Sequence, residues 1–225
     1  GTQGTPPADP DLLDWLAQEL IESDWDTNRI HRLIMRSATY RRSSAVTEAN
    51  LRRDPEGDSL WRWRPRRLES EAIRDSVLSV AGKLDRSFGG PSVDAMSHRR
   101  SIYLQQQRER LPEALTLFDS PPALVSCSRR PVSTVALQPL YLLNSDFMNQ
   151  QAASFAGLLR TQESAVDQVR VGLSRVAQRS PSAAEIQQGL TFMKQLQSEE
   201  GLTPDQALTY FCLVALNLNE FIYLD

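Results

Sequence analysis

SAAEIQQGLTFMKQLQSEEGLTPDQALTYFCLVALNL, residues 182–218, is the stretch whose spacing decides the fold class. Ser182 and Glu185 frame a capping box, in which a hydroxyl and a carboxylate each satisfy an amide at a helix start. Behind it Ala183, Ile186, Leu190, Met193 and Leu196 recur at helical spacing, so they share one face. Gly201 closes that helix. Thr203-Pro204 opens the next, with Ala207, Leu208, Phe211, Val214, Ala215 and Leu218 inside. Upstream, Val166, Val169, Leu173, Val176 and Ala177 mark another helix, and Phe147–Arg160 one more. Connections of about 4–6 residues make such helices antiparallel neighbours.

Further upstream the same reading continues. Arg67–Arg86 is expected to be one long helix with a stripe through Leu68, Ala72, Ile73, Val77, Val80, Ala81 and Leu84. Gly89-Gly90-Pro91 is its expected stop. Asp9-Pro10 reads as the start of a first helix with Leu12, Leu13, Leu16, Ala17, Leu20 and Ile21 on one face. Asp26 or Thr27 caps a second helix carrying Ile30, Leu33 and Ile34. Ser43–Pro65 reads as irregular. It holds the WRWRPRR run (Trp61–Arg67), which either stacks on bases or sugars or packs its tryptophans on a core.

Between these helical parts lies Arg99–Ser145, with two Arg-Arg pairs, Cys127 and five of the 13 prolines. Arg99–Leu104 is its best strand candidate, Leu111–Asp119 a short helix and Gln138–Asn144 another. The prolines keep the remainder extended or looped. The expectation is a mainly α, helical bundle-like domain with a long irregular central segment and at most a short two-stranded β piece. Residues 1–225 are expected to form one domain: a linker over 1–10, N-terminal helices over 11–98, the central segment over 99–145 and antiparallel helices over 146–225.

Composition narrows the function classes. The chain has 225 residues, enough for one substantial core, and its net charge of −3 gives no global field to recruit nucleic acid. No apolar run is long enough to span a membrane. Only Lys83 and Lys194 are lysines; the other 23 of 25 basic side chains are arginines, the fork-shaped cation that grips carboxylates and oxyanions bidentately. The expected site residues follow. Arg99, Arg100, Arg129 and Arg130 cannot cluster without anions. Glu69, Glu71 and Asp75 on the long helix either pair with them or leave them to bind an external anion. No metal site is expected: His31 and His98 are the only histidines, and no His-Glu-x-x-His, G-x-S-x-G or Walker sequence is present. Without Cys-x-x-Cys-His this chain carries no covalent haem. Cys212 sits in apolar helix and reads as a buried thiol. A bridge to Cys127 is left open by sequence, although free thiols are expected.

LLDWLA (Leu12–Ala17), HRLIMRSATYRRSS (His31–Ser44), RRLESEAIRDSVLSVAGKLD (Arg66–Asp85), GGPSV (Gly89–Val93), RRSIYL (Arg99–Leu104), LFDSP with SCSRRPVSTVALQPLYLLNS (between Leu117 and Ser145) and ALNLNEFIYLD (Ala215–Asp225) follow one another in order. In these blocks the chain resembles the C-terminal domain of unknown function found in large planctomycete cytochrome-associated proteins. Departures are Gln105–Gln107, Ser128 and Leu218. The resemblance implies an exported, extracytoplasmic protein with further domains upstream, one of them haem-bearing, and a family domain that begins before Gly1. It implies no reaction. Two functions are therefore expected. One is a non-catalytic helical module that positions other domains of the same polypeptide or their cleaved fragment. The other is part of an enzyme or binding protein that holds an anionic or polysaccharide ligand through its arginines.

Overall fold

A computed structural model describes residues 6–107, 111–122, 126–127 and 130–224. It is mainly α, as the apolar stripes predict, and divides into two compact units, one ending at Arg66 and one spanning Arg67–Leu224.

The first unit holds α1 (Pro10–Glu22), α2 (Thr27–Arg36) and a short α3 (Glu48–Arg53). Asp9 caps α1 by accepting from the Leu12 amide, and Asp26 caps α2 by accepting from Asn28 and Arg29. Arg29 of α2 pairs with Glu19 of α1 at 3.0 Å. The tryptophans of the WRWRPRR run are half-buried. Trp63 meets Tyr40 edge-to-face and lies under Arg66, while Trp61 donates to the Asp54 carbonyl. No described residue from Pro6 to Arg66 is fully buried.

The second unit opens on Arg67, the last residue of β1 (Arg66–Arg67), and closes on its pairing partner β2 (Tyr223–Leu224). Beside that pairing, the Leu68 amide donates to the Ile222 carbonyl. In between come α4 (Ser70–Val80), a turn of 3-10 helix (Ser101–Tyr103), α5 (Glu113–Leu117), α6 (Leu137–Asn144), α7 (Asp146–Leu159), α8 (Ala165–Ala177), α9 (Ala183–Glu199), α10 (Pro204–Ala215) and α11 (Asn219–Ile222). The capping box at Ser182–Glu185 is formed, and Thr203 with Gln206 forms a second. The core is built on α7 and α10, with α4, α8 and α9 closing around them.

Phe211 of α10 shows how tightly the helices fit. A Cβ added at Gly172 of α8 would meet its ring at 3.0 Å. One at Gly189 of α9 would meet the ring at 3.0 Å and the Val169 Cγ1 at 2.7 Å. Two glycines thus make the slot that seats the ring. Gly189→Ala gains helix propensity of ~1 kcal/mol but forces a stiff, buried valine to move, at ~1–3 kcal/mol. The expected net result is a lower denaturant midpoint with unchanged slope. A raised midpoint would show that the slot has slack.

Three sequence expectations need revision. Arg67–Arg86 is not one helix: α4 ends at Val80, because Gly82 adopts a left-handed φ of +70° and the Lys83 amide turns back to the Leu78 carbonyl at 2.8 Å. Arg99–Leu104 is not a strand. Side chains of α4 take the backbone groups a ladder would use: Arg74 donates to the Arg99 carbonyl, and Asp75 accepts from the Ser101 amide. What remains is two isolated bridges, Asp85 with Arg99 and Val93 with Leu104. Third, Ser43–Pro65 is not irregular throughout, since it contains α3.

Candidate functional site

Helix α4 positions the polar centre of the second unit. Its buried face repeats as Ser70, Ile73, Arg74 and Val77, so one charged residue occupies a core position. Arg74 is buried and its four Nη hydrogens are spent locally. Nη1 donates to the Arg99 carbonyl at 2.9 Å and the Ser101 hydroxyl at 3.3 Å, and Nη2 to the carbonyls of Ala95 and Ser97. Its nearest carboxylate is Asp75, at 3.5 Å. Burial pushes the guanidinium below its ordinary pKa, opposed by the Asp75 charge. Asp75 also accepts from the amide and hydroxyl of Ser101, at 2.8 and 2.7 Å.

A second buried arginine begins the unit. Arg67 donates to Asp119 at 2.6 Å, to the Ser133 carbonyl at 2.8 Å and to the Phe118 carbonyl at 3.2 Å, and lies over the Phe118 ring. Asp119 in turn accepts from the Ser133 amide at 2.8 Å and its hydroxyl at 2.7 Å. Buried Gln138 donates to the Leu117 carbonyl. Burial works against the Asp119 charge, but Ser133 and Arg67 outweigh it and hold the carboxyl below its ordinary range.

The residues singled out by sequence are placed as follows. Arg130 makes a bidentate pair with Glu71, at 2.7 and 3.2 Å, and reaches Glu69 at 3.3 Å. Burial opposes the Glu71 charge, yet Arg130 and Ser70 bring its pKa down. Arg100 is more exposed, at 57% of its side chain, and approaches Asp75 only to 3.9 Å. Arg99 meets carbonyls rather than acids: Ser87, Gly89 and Pro91 accept from it, while the guanidinium lies 3.9 Å from the Tyr103 ring centre. Arg129 lies outside the described residues. Arg67, Arg74 and Asp119 were absent from the expected site. For Arg74 the signal existed, because it follows Ile73 and sits three before Val77, both on the apolar stripe. Arg67 has no such local mark within WRWRPRR.

An open cleft gathers Glu69, Glu71, Asp75, Arg100 and Arg130. Among the described residues it carries three carboxylates against two guanidiniums, a balance that does not draw an anion. The Arg130 pair is only part-buried, so Arg130→Ala should lower stability by about 1–2 kcal/mol in urea titration. An unchanged midpoint would mean that solvent already screens the pair. Cys212 is buried, with its thiol pushed up to about 12 by burial, and Cys127 is exposed; the two are not bridged. Among the described residues no group of His, Cys, Asp or Glu is placed to hold a metal ion, and no helix is long and apolar enough to cross a membrane.

The family model described as PSD1, protein of unknown function (DUF1553), matches residues 1–193. The chain belongs to the PSD1 family. The PSD1 match contains Arg67, Arg74, Asp119, Arg130 and all of α4, whereas α10 and α11 lie beyond its end. No curated protein and no solved structure matches this PSD1 chain.

Proposed function

We propose that the chain is a non-catalytic helical module that packs on and positions other domains of an exported, cytochrome-associated polypeptide. The observation that carries this reading is the uncovered apolar surface of α1 and α2. Leu12, Leu13, Trp15 and Ile21 of α1, with Ile34 and Met35 of α2, are all exposed. Amphipathic helices of this length draw their stability from burying such a face, so a partner surface belongs there. In the second unit the arginines of the centre are engaged by carbonyls and carboxylates, which suits a scaffold. The planctomycete setting, the extracytoplasmic location and a haem-bearing upstream domain rest on the resemblance of the sequence blocks. The partners are then upstream domains of the same polypeptide or their cleaved fragment.

The test is sedimentation of the purified chain with a separately produced cytochrome-like domain from a protein of this family. A 1:1 complex of about 1–10 µM affinity is expected. Leu13→Glu with Trp15→Glu should abolish it. No complex with the wild type, or a complex indifferent to the double variant, would overturn the reading.

A further inference from the structure

The core of the second unit is not filled everywhere. A cavity of about 150 Å³ lies among α4, α5, α6 and the start of α7. Its floor is Val77, Leu115, Leu142 and Met148, all buried. Its walls include three aromatic rings, Phe118, Tyr141 and Phe147. These rings are held in place: Phe118 has Arg67 over it and meets Tyr141 in a T-shaped contact, and Arg74 sits over Phe147. Exposed Met96 and Glu113 form the lip.

We infer that this cavity is a binding site for a small uncharged molecule with one aromatic ring and at most one hydroxyl. Volume sets the size, since an apolar cavity of roughly 150 Å³ accommodates a benzene-sized guest and is a poor home for water. The lining sets the chemistry. Aromatic walls and methionines at floor and lip favour a flat, polarizable guest. Both kinds of charge are disfavoured. The Arg74 Nη hydrogens are committed to Ser101 and the Ala95, Ser97 and Arg99 carbonyls, so they offer a carboxylate no fork. Glu113 at the lip repels an anion, and the buried Arg74 charge repels a cation. The Ser70 hydroxyl donates to Glu71 and the Tyr141 phenol meets Ser145, so each keeps only part of its hydrogen-bonding capacity for a single guest hydroxyl.

The probes are toluene and p-cresol, with benzoate as the charged counterpart, added to the intact chain. Each neutral probe should raise Tm by about 3–6 °C at ten times its dissociation constant, and further with the logarithm of its concentration. Each should also shift the Met148 methyl resonance by its ring current and leave Met193, elsewhere in the core, unmoved. Benzoate should bind at least tenfold more weakly. Ala114→Phe, which fills the space from the cavity wall, should weaken both neutral probes at least tenfold. If that variant does not fold, the saturable Met148 shift in the wild type decides. No saturable shift up to the solubility of either probe overturns the inference, and so does benzoate binding as tightly as toluene.

Discussion

Asp119→Asn should lower the free energy of unfolding by about 3–5 kcal/mol, the largest loss expected from a single side chain here. The substitution keeps size, removes the charge and turns one acceptor oxygen into an NH2 donor. That control matters because Asp119 sits at φ +63°, in the left-handed region. Asparagine tolerates this backbone and alanine does not. The loss therefore comes from Arg67, whose side chain is only 5% exposed and which would keep its charge without its carboxylate. Ser133 would lose its anionic acceptor as well. Removing the buried cation as well, Arg67→Met with Asp119→Asn, should recover much of the loss, because an absent charge costs less than an unpaired one. Urea denaturation decides. A double variant as unstable as Asp119→Asn would mean that the carbonyls of Phe118 and Ser133, not the ion pair, set the cost.

The pH dependence has a defined sign. Asp119 is held below its ordinary pKa in the folded chain. Its contribution is complete above the unfolded value of about 4 and disappears as pH falls through the folded value. Wild type and Asp119→Asn should therefore differ fully at neutral pH and converge as pH falls below about 4. A gap that stays constant down to pH 2 would assign the effect to packing.

What could be read from the chain was what is local in it. The capping box at Ser182, the helix start at Thr203-Pro204 and the stripes of α8 to α10 depend on residues within two turns of each other. They stand where sequence puts them. The Gly82 stop is local too, but the apolar stripe continued through Leu84 and masked it. The strand expected at Arg99–Leu104 failed for a nonlocal reason. Its β-prone residues are real, yet Arg74 and Asp75, about 25 residues earlier, claim its backbone. The Arg67–Asp119 pair joins residues 52 apart, and nothing near either residue announces the other. Glu71 and Arg130 show the intermediate case, where charge balance named the participants without choosing which arginine meets which acid.

Arg74→Met should release the segment around Ser97–Tyr103 while the helices beyond α5 stay folded. The guanidinium is the donor that Ala95, Ser97 and Arg99 share, and each acceptor left without a partner costs about 1–3 kcal/mol when buried. Ala95 and His98 already face solvent, so these carbonyls can recover hydrogen bonds to water by moving outward. The cheaper response is thus local opening, with a global loss of about 2–4 kcal/mol. Trypsin gives the readout, because Arg99 and Arg100 lie within the segment. In the wild type Arg99 is engaged by Gly89 and Pro91 and stacked on Tyr103, so cleavage there should be slow. In Arg74→Met it should become the first cut, at least tenfold faster. Arg74→Lys should fall between them, since one ammonium cannot span acceptors on four residues. Equal cleavage rates in all three chains would show that Asp75 and Arg99 hold the segment without Arg74.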